Sequence, residues 1–155
     1  MSELGQPLFL PASGTIVHVH LSPASDGRWR LRWSNAGHPP PLLATPGSAV
    51  ETLARHDVLL HPALPAEPRT CDGRSMAPGS TLLLYTDGLV EQRHGDIEAH
   101  IDRVGRLLAA ATPQLPLETL LRSLLRSPGT SEPEDDTVLL AVRVPRAAGA
   151  GGVSR

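Results

Sequence analysis

Residues 28–34, Arg-Trp-Arg-Leu-Arg-Trp-Ser, alternate strictly: Trp29, Leu31 and Trp33 share one side, and Arg28, Arg30 and Arg32 take the other. A period of two in a short aromatic and apolar run specifies a strand with one face buried and one in water. Upstream, residues 15–21 repeat the pattern, with Val17, Val19 and Leu21 opposed to Ile16, His18 and His20. Between the two runs lies Ser22-Pro23-Ala24-Ser25-Asp26-Gly27, rich in turn formers. The pair predicts an antiparallel hairpin.

Downstream, Asn35-Ala36-Gly37-His38-Pro39-Pro40-Pro41 is expected to be neither helix nor central strand, because its prolines lack N–H donors. Residues 42–45 and 49–53 read as two short strands around Pro46-Gly47-Ser48. The stretch 54–79 has no clear period, yet a loop that long is unusual in a compact domain, so at least one short strand is expected within it. Residues 80–86, Ser-Thr-Leu-Leu-Leu-Tyr-Thr, form a continuous apolar run suited to a strand buried on both faces. Ile97, Ile101, Val104 and Leu108 recur at helical spacing, with Ala111 extending the stripe and Pro113 ending it. Pro116 opens a second helix that carries Leu117, Leu120, Leu121, Leu124 and Leu125 on one side, with Pro128-Gly129 as its stop. Residues 137–144 read as a last buried strand. Strands and helices are segregated, which predicts an α+β fold: a mostly antiparallel sheet covered on one face by two helices.

The chain has 155 residues, enough for one domain with its own core. Hydrophobic residues make up 40% and charged residues 19%, as in soluble globular proteins. Aromatics are only 3%, so the core must rest on aliphatic side chains. The net charge of -2 argues against a nucleic-acid binder held by bulk electrostatics. All 14 basic residues are Arg, which reads as codon bias rather than function. The single cysteine, Cys71, permits no internal disulfide and fits a reducing cytosol. Residues 1–11 lack a basic start and an apolar core, so they do not read as a signal peptide. No stretch is long enough for a membrane helix. A cytoplasmic protein without membrane association is therefore expected.

Two acidic segments stand at the ends of buried strands: Asp87 in Leu82-Leu83-Leu84-Tyr85-Thr86-Asp87-Gly88, and Asp135-Asp136 before Thr137-Val138-Leu139-Leu140. A carboxylate at the edge of an apolar sheet is costly to desolvate without a positive partner. A divalent cation such as Mg²⁺ or Mn²⁺ provides one, since both prefer hard oxygen ligands. Gly88 would let the backbone come close beside the metal. The same residues also read as an ordinary Asp-Gly turn and a solvated acidic loop. The seven histidines show no helical pair, which disfavours zinc. Cys71 has no adjacent base, and no P-loop is present. Asn35 and His38 fit either a rigid turn or a stiff support beside a site.

Taken together and in order, Ser34-Asn35-Ala36-Gly37-His38-Pro39-Pro40, Leu82 to Glu91 and Asp135-Asp136-Thr137-Val138-Leu139-Leu140 resemble the SpoIIE-like branch of the PPM (type 2C) protein phosphatases. The resemblance covers about residues 15–145. It implies a partial α-β-β-α sandwich of mostly antiparallel sheets. It also implies a site for two Mn²⁺ or Mg²⁺ ions, with Asp87 and Asp135 as metal ligands and Asp136 the lesser of its pair. The implied reaction is attack of a metal-activated water on a phosphoserine or phosphothreonine of a partner protein, possible partners including an anti-anti-sigma factor.

The family's earlier segment, with a metal-bridging Asp and a Gly-Asp-Val-x-Gly-x-Gly type motif, has no counterpart here. Asp26-Gly27 falls in the hairpin turn and Asp72-Gly73 in the irregular stretch. The expected organisation is a weakly determined lead-in over 1–13, the C-terminal part of the phosphatase domain over 14–145 and a disordered tail over 146–155. His61 stands where the family has Gly, which predicts local backbone strain. Absent strands predict an open sheet edge and an exposed apolar face. From these follow two readings: an enzyme completed by a homo-oligomer or a complementing chain, or a catalytically inactive protein-binding module.

Overall fold

Leu42-Leu43 and Leu82-Leu83 hold the key to the architecture: in each pair, one leucine enters one core and its neighbour enters another. Side chains of successive strand residues leave on opposite faces, so a strand apolar at both positions must be covered on both. The computed structural model describes residues 13–64, 67–90, 96–111, 113–126 and 136–146. Its elements run β1 (Ile16–Pro23), β2 (Trp29–Ala36), β3 (Leu42–Ala44), β4 (Glu51–Thr52), β5 (Asp72–Met76), β6 (Thr81–Tyr85), a 3-10 turn (Asp87–Leu89), α1 (Ile97–Ala110), α2 (Leu117–Leu125) and β7 (Leu139–Arg143).

The strands form two antiparallel sheets, a three-stranded one in the order β1-β2-β5 and a four-stranded one in the order β4-β3-β6-β7. Between the sheets lie Leu31, Trp33, Leu43, Leu53, Met76, Leu82 and Val144. On the far side of the four-stranded sheet, Leu42, Leu83 and Tyr85 pack with Val104 and Leu108 of α1 and Leu120 and Leu124 of α2. The fold is thus α+β, a stack of sheet, sheet and helices. Burying each such leucine stabilises the fold by roughly 1.5–3 kcal/mol relative to exposure.

The expected hairpin is present. Trp29 lies opposite Pro23 and Ala36 opposite Ile16, and the turn is closed by Ala24 N–H donating to the Arg28 carbonyl at 2.9 Å. Both helices form where the period places them. The Asp96 side chain caps α1 by accepting from Glu98 N–H at 2.9 Å, which satisfies one of the free donors of the first turn. The strand expected within 54–79 is β5.

Several expectations change. Asn35 and Ala36 end β2, the middle strand of its sheet, so the proline effect begins only after them. Asp72-Gly73 opens β5 instead of lying in a loop. Only Met76 of β5 is buried, so no apolar alternation announces the strand. β7 is half-buried, because it is the edge of its sheet; Leu140, opposite Leu84, is 56% exposed, and Val138, just before the strand, 59%. No non-glycine residue among those described has a positive φ, so His61 is unstrained. Pro128-Gly129 lies outside the described residues, as do the lead-in before residue 13 and the tail after Arg146.

Arg74 ties the two sheets at their rim. Its Nε donates to Glu51 Oε1 of β4 at 2.7 Å, and its guanidinium lies 5.4 Å from the Trp33 ring centre. Both partners of the ion pair are substantially exposed, so the bond contributes little and the stacking over Trp33 fixes the geometry.

Candidate functional site

β6 delivers Asp87 to the surface. The chain leaves the sheet at Thr86 and turns at once into the 3-10 turn, where Leu89 and Val90 are buried and Asp87 is exposed. Asp87 Oδ1 accepts the Gly88 N–H at 3.0 Å. Its second oxygen has no hydrogen-bond partner among the described residues. Gly88 thus orients the carboxylate through its own N–H.

Thr86 connects this turn to the second acidic segment. Its hydroxyl donates to the Asp136 carbonyl at 3.1 Å and accepts the Val138 N–H at 2.9 Å. Its backbone N–H donates to the Val138 carbonyl at 3.1 Å. The ladder between β6 and β7 therefore continues past the strands, and the chain entering β7 lies beside the chain leaving β6. Asp87 and Asp136 are brought to one end of the sheet. Asp135 lies outside the described residues. No group of three or more His, Cys, Asp or Glu side chains gathers among the described residues. Thr86 is the residue that sequence reasoning missed; the available signal was a hydroxyl directly preceding Asp87 at a strand end.

Asn35 and His38 form a separate unit. The Asn35 side chain accepts from His38 N–H and donates to the His38 carbonyl, both at 2.8 Å, and is 2% exposed. Both bonds close the turn that leads from β2 into the prolines. Gly37, at φ +69, sits inside it; a Cβ there would come within 2.7 Å of Leu59 Cβ. The turn also binds the loop below, with Asp57 N–H donating to the Asn35 carbonyl at 2.7 Å and Gly37 N–H donating to the Asp57 carbonyl at 3.0 Å. His38 Nδ1 meets the Thr15 hydroxyl at 3.1 Å. No hydrogen bond among the described residues joins this unit to Asp87 or Asp136. Asn35 works as a clasp.

Tyr85, the last residue of β6, is buried, and its hydroxyl has no partner among the described residues. Burial pushes its pKa well above the usual value.

Two stacked antiparallel sheets, helices over one of them and acidic segments meeting at a sheet end are features of the PPM (type 2C) protein phosphatases. The model of one family, Stage II sporulation protein E (SpoIIE), matches residues 11–145, and the chain belongs to that family. Among solved structures, the RsbU and RsbW domains of Rv1364c from Mycobacterium tuberculosis match at 29% identity and a TM-score of 0.60, covering 76% of this chain and 34% of that one. The phosphatase domain of the cell fate determinant SpoIIE from Bacillus subtilis, presoaked with Mn, matches at 15% identity and a TM-score of 0.57, covering 84% and 57%. The catalytic domain of the serine/threonine phosphatase PstP, in complex with two manganese ions, matches at 15% and 0.55, covering 86% and 60%. The last two show the shared fold. The chain spans between 34% and 60% of these solved chains. No curated protein matches it. No helix among the described residues is long and apolar enough to cross a membrane.

Proposed function

We propose that this chain supplies the C-terminal part of a metal-dependent phosphatase site that hydrolyses phosphoserine or phosphothreonine on a partner protein in bacterial signalling. The observation that carries this reading is the Thr86 link, which sets the Asp87 turn beside the segment containing Asp136. In this reading Asp87 and Asp135 ligate Mn²⁺ or Mg²⁺, and Asp136 supports them. The donor chemistry at Asp87 fits: the carboxylate is exposed, one oxygen is fixed by Gly88 N–H and the other has no hydrogen-bond partner among the described residues. A pair of such ions, when bound, supplies a more acidic water and compensates charge on the phosphoryl oxygens. The chain's own part is to hold the carboxylates at the sheet end and to keep that end rigid through the β6–β7 ladder.

A phosphorylated anti-anti-sigma factor is the proposed substrate class. Its support is the family match and the likeness to a structure containing RsbU and RsbW domains. A cytoplasmic setting accords with it. Two carboxylates make a weak site alone, so the proposal includes completion by a second copy or a complementing chain. The exposed Leu140 at the β7 edge favours this.

The test is Mn²⁺-dependent hydrolysis of p-nitrophenyl phosphate by the purified chain, with Asp87→Asn and Asp135→Asn beside it. Turnover that requires Mn²⁺ and is lost in both variants supports the reading. No turnover and no Mn²⁺ binding from a folded sample overturns it for this chain alone, and favours a protein-binding module.

A further inference from the structure

A polar cavity lies at the other end of β6 from Asp87. It measures about 360 Å³ and sits between the β3–β4 turn, the C-terminal end of α1 and the residues after β7. Arg143 and Arg146 line it with Thr45, Ser48 and Thr81, and no Asp or Glu is among its described lining residues. Along β6 it is on the order of 20 Å from Asp87, so it is distinct from the candidate metal site.

The Arg143 guanidinium is already in place. Its Nε donates to Thr81 Oγ1 at 2.9 Å, and its Nη1 donates to the carbonyls of Pro113 and Leu115. Two donors on Nη2 remain without a partner among the described residues. Partial burial lowers the Arg143 pKa, the mark of a cation that has lost water without gaining an anion. Arg146 crosses Gly79: a Cβ there would lie 2.9 Å from Arg146 Nε, and Gly79 at φ +85 leaves the room. Arg146 has no ion-pair or hydrogen-bond partner among the described residues.

We propose that this cavity binds a small phosphate-bearing anion, whose oxygens are taken by Arg143 Nη2 and the Arg146 guanidinium. Planar guanidinium forks match phosphate oxygens in geometry as well as charge. Pinning by Thr81 and two carbonyls spares Arg143 the ordering cost that a free side chain incurs on binding. Residues 108–111, at the C-terminal end of α1, also line the cavity; that end is negative and disfavours an anion, so the two arginines must outweigh it.

The test is an NMR titration of the ¹⁵N-labelled full chain with inorganic phosphate and, separately, glycerol 2-phosphate. EDTA removes divalent ions and sodium chloride holds the ionic strength. Saturable shifts of the Gly79–Thr81 amides and the two arginine Nε–H signals are expected. Arg146→Ala, an exposed substitution, should weaken binding about tenfold or more. Arg143→Lys should weaken it too, while Asp87→Asn leaves it unchanged. Tighter binding of glycerol 2-phosphate identifies an organic phosphomonoester as the ligand; equal binding identifies free phosphate. Shifts that never saturate, or wild-type affinity in both arginine variants, overturn the proposal whatever the hydrolysis assay shows.

Discussion

The Thr86 hydroxyl donates to the Asp136 carbonyl oxygen at 3.1 Å while accepting the Val138 N–H at 2.9 Å. One side chain thus satisfies two backbone groups of the segment entering β7. Thr86→Val keeps the shape and removes both bonds. We expect a loss of about 1–2 kcal/mol in urea denaturation, and weaker Mn²⁺ binding because the two acidic segments separate. Thr86→Ser should retain most of both. A variant as stable as the wild type would show that the β6–β7 ladder does not depend on this hydroxyl.

The Asn35 clasp makes a different prediction. Asn35→Ala leaves a part-buried N–H and carbonyl at His38 without these partners, costing about 1–2 kcal/mol. Because no hydrogen bond among the described residues joins the clasp to the Asp87 turn, Mn²⁺ affinity of the folded variant should not change. Denaturation combined with Mn²⁺ titration separates this supporting role from a direct one.

Leu140 stands on the inter-sheet face of an edge strand and is 56% exposed. An apolar edge invites pairing with another chain. Leu140→Lys should reduce self-association in sedimentation velocity, with little change in Tm because the side chain is mostly in water. If the wild type is monomeric at all concentrations, a second copy is not what covers this edge.

Asp57 carries the acid sensitivity of its loop. Thr70 donates to it through its backbone N–H at 2.7 Å and through its hydroxyl at 2.9 Å. The backbone bond is the largest cause of a pKa below the ordinary 3.8. A depressed carboxylate adds stability that is fully present above its unfolded-state pKa and is lost as pH falls through the folded-state value. Wild type should therefore lose stability as pH drops below about 4. Asp57→Asn should start less stable at neutral pH and lack that component of the loss. Parallel pH profiles for the two proteins would refute the assignment.

Most of the element order was readable because periodicity records burial. The alternation of Trp29, Leu31 and Trp33 gives β2, and the spacing of Val104 and Leu108 gives α1. The continuous run at Leu82-Leu83 correctly indicates cover on both faces. What periodicity does not record is pairing. Nothing in Asp72-Gly73-Arg74-Ser75 shows that β5 joins β2, because Arg74 earns its place by lying over Trp33. The exposure of Leu140 was hidden for the same reason: an edge strand and an interior strand share one composition. At the candidate site, Asp87 was legible from its position after a buried strand. The clasp role of Asn35 was not, since an amide that closes a turn and one that supports a ligand look alike in sequence.

Strand β6 is central, with β3 on one side and β7 on the other, and both helices intervene before β7 is reached. On the ribosome, β3 emerges before β6, and β7 only after both helices. A nascent chain therefore carries β6 with one flank bare until β7 is made, and its Leu83 and Tyr85 uncovered until α1 and α2 are made. Such a topology delays closure and lengthens the interval in which the chain is prone to aggregate. A premature stop before Leu139 would leave the β6 flank permanently open, so the whole sheet depends on its final strand.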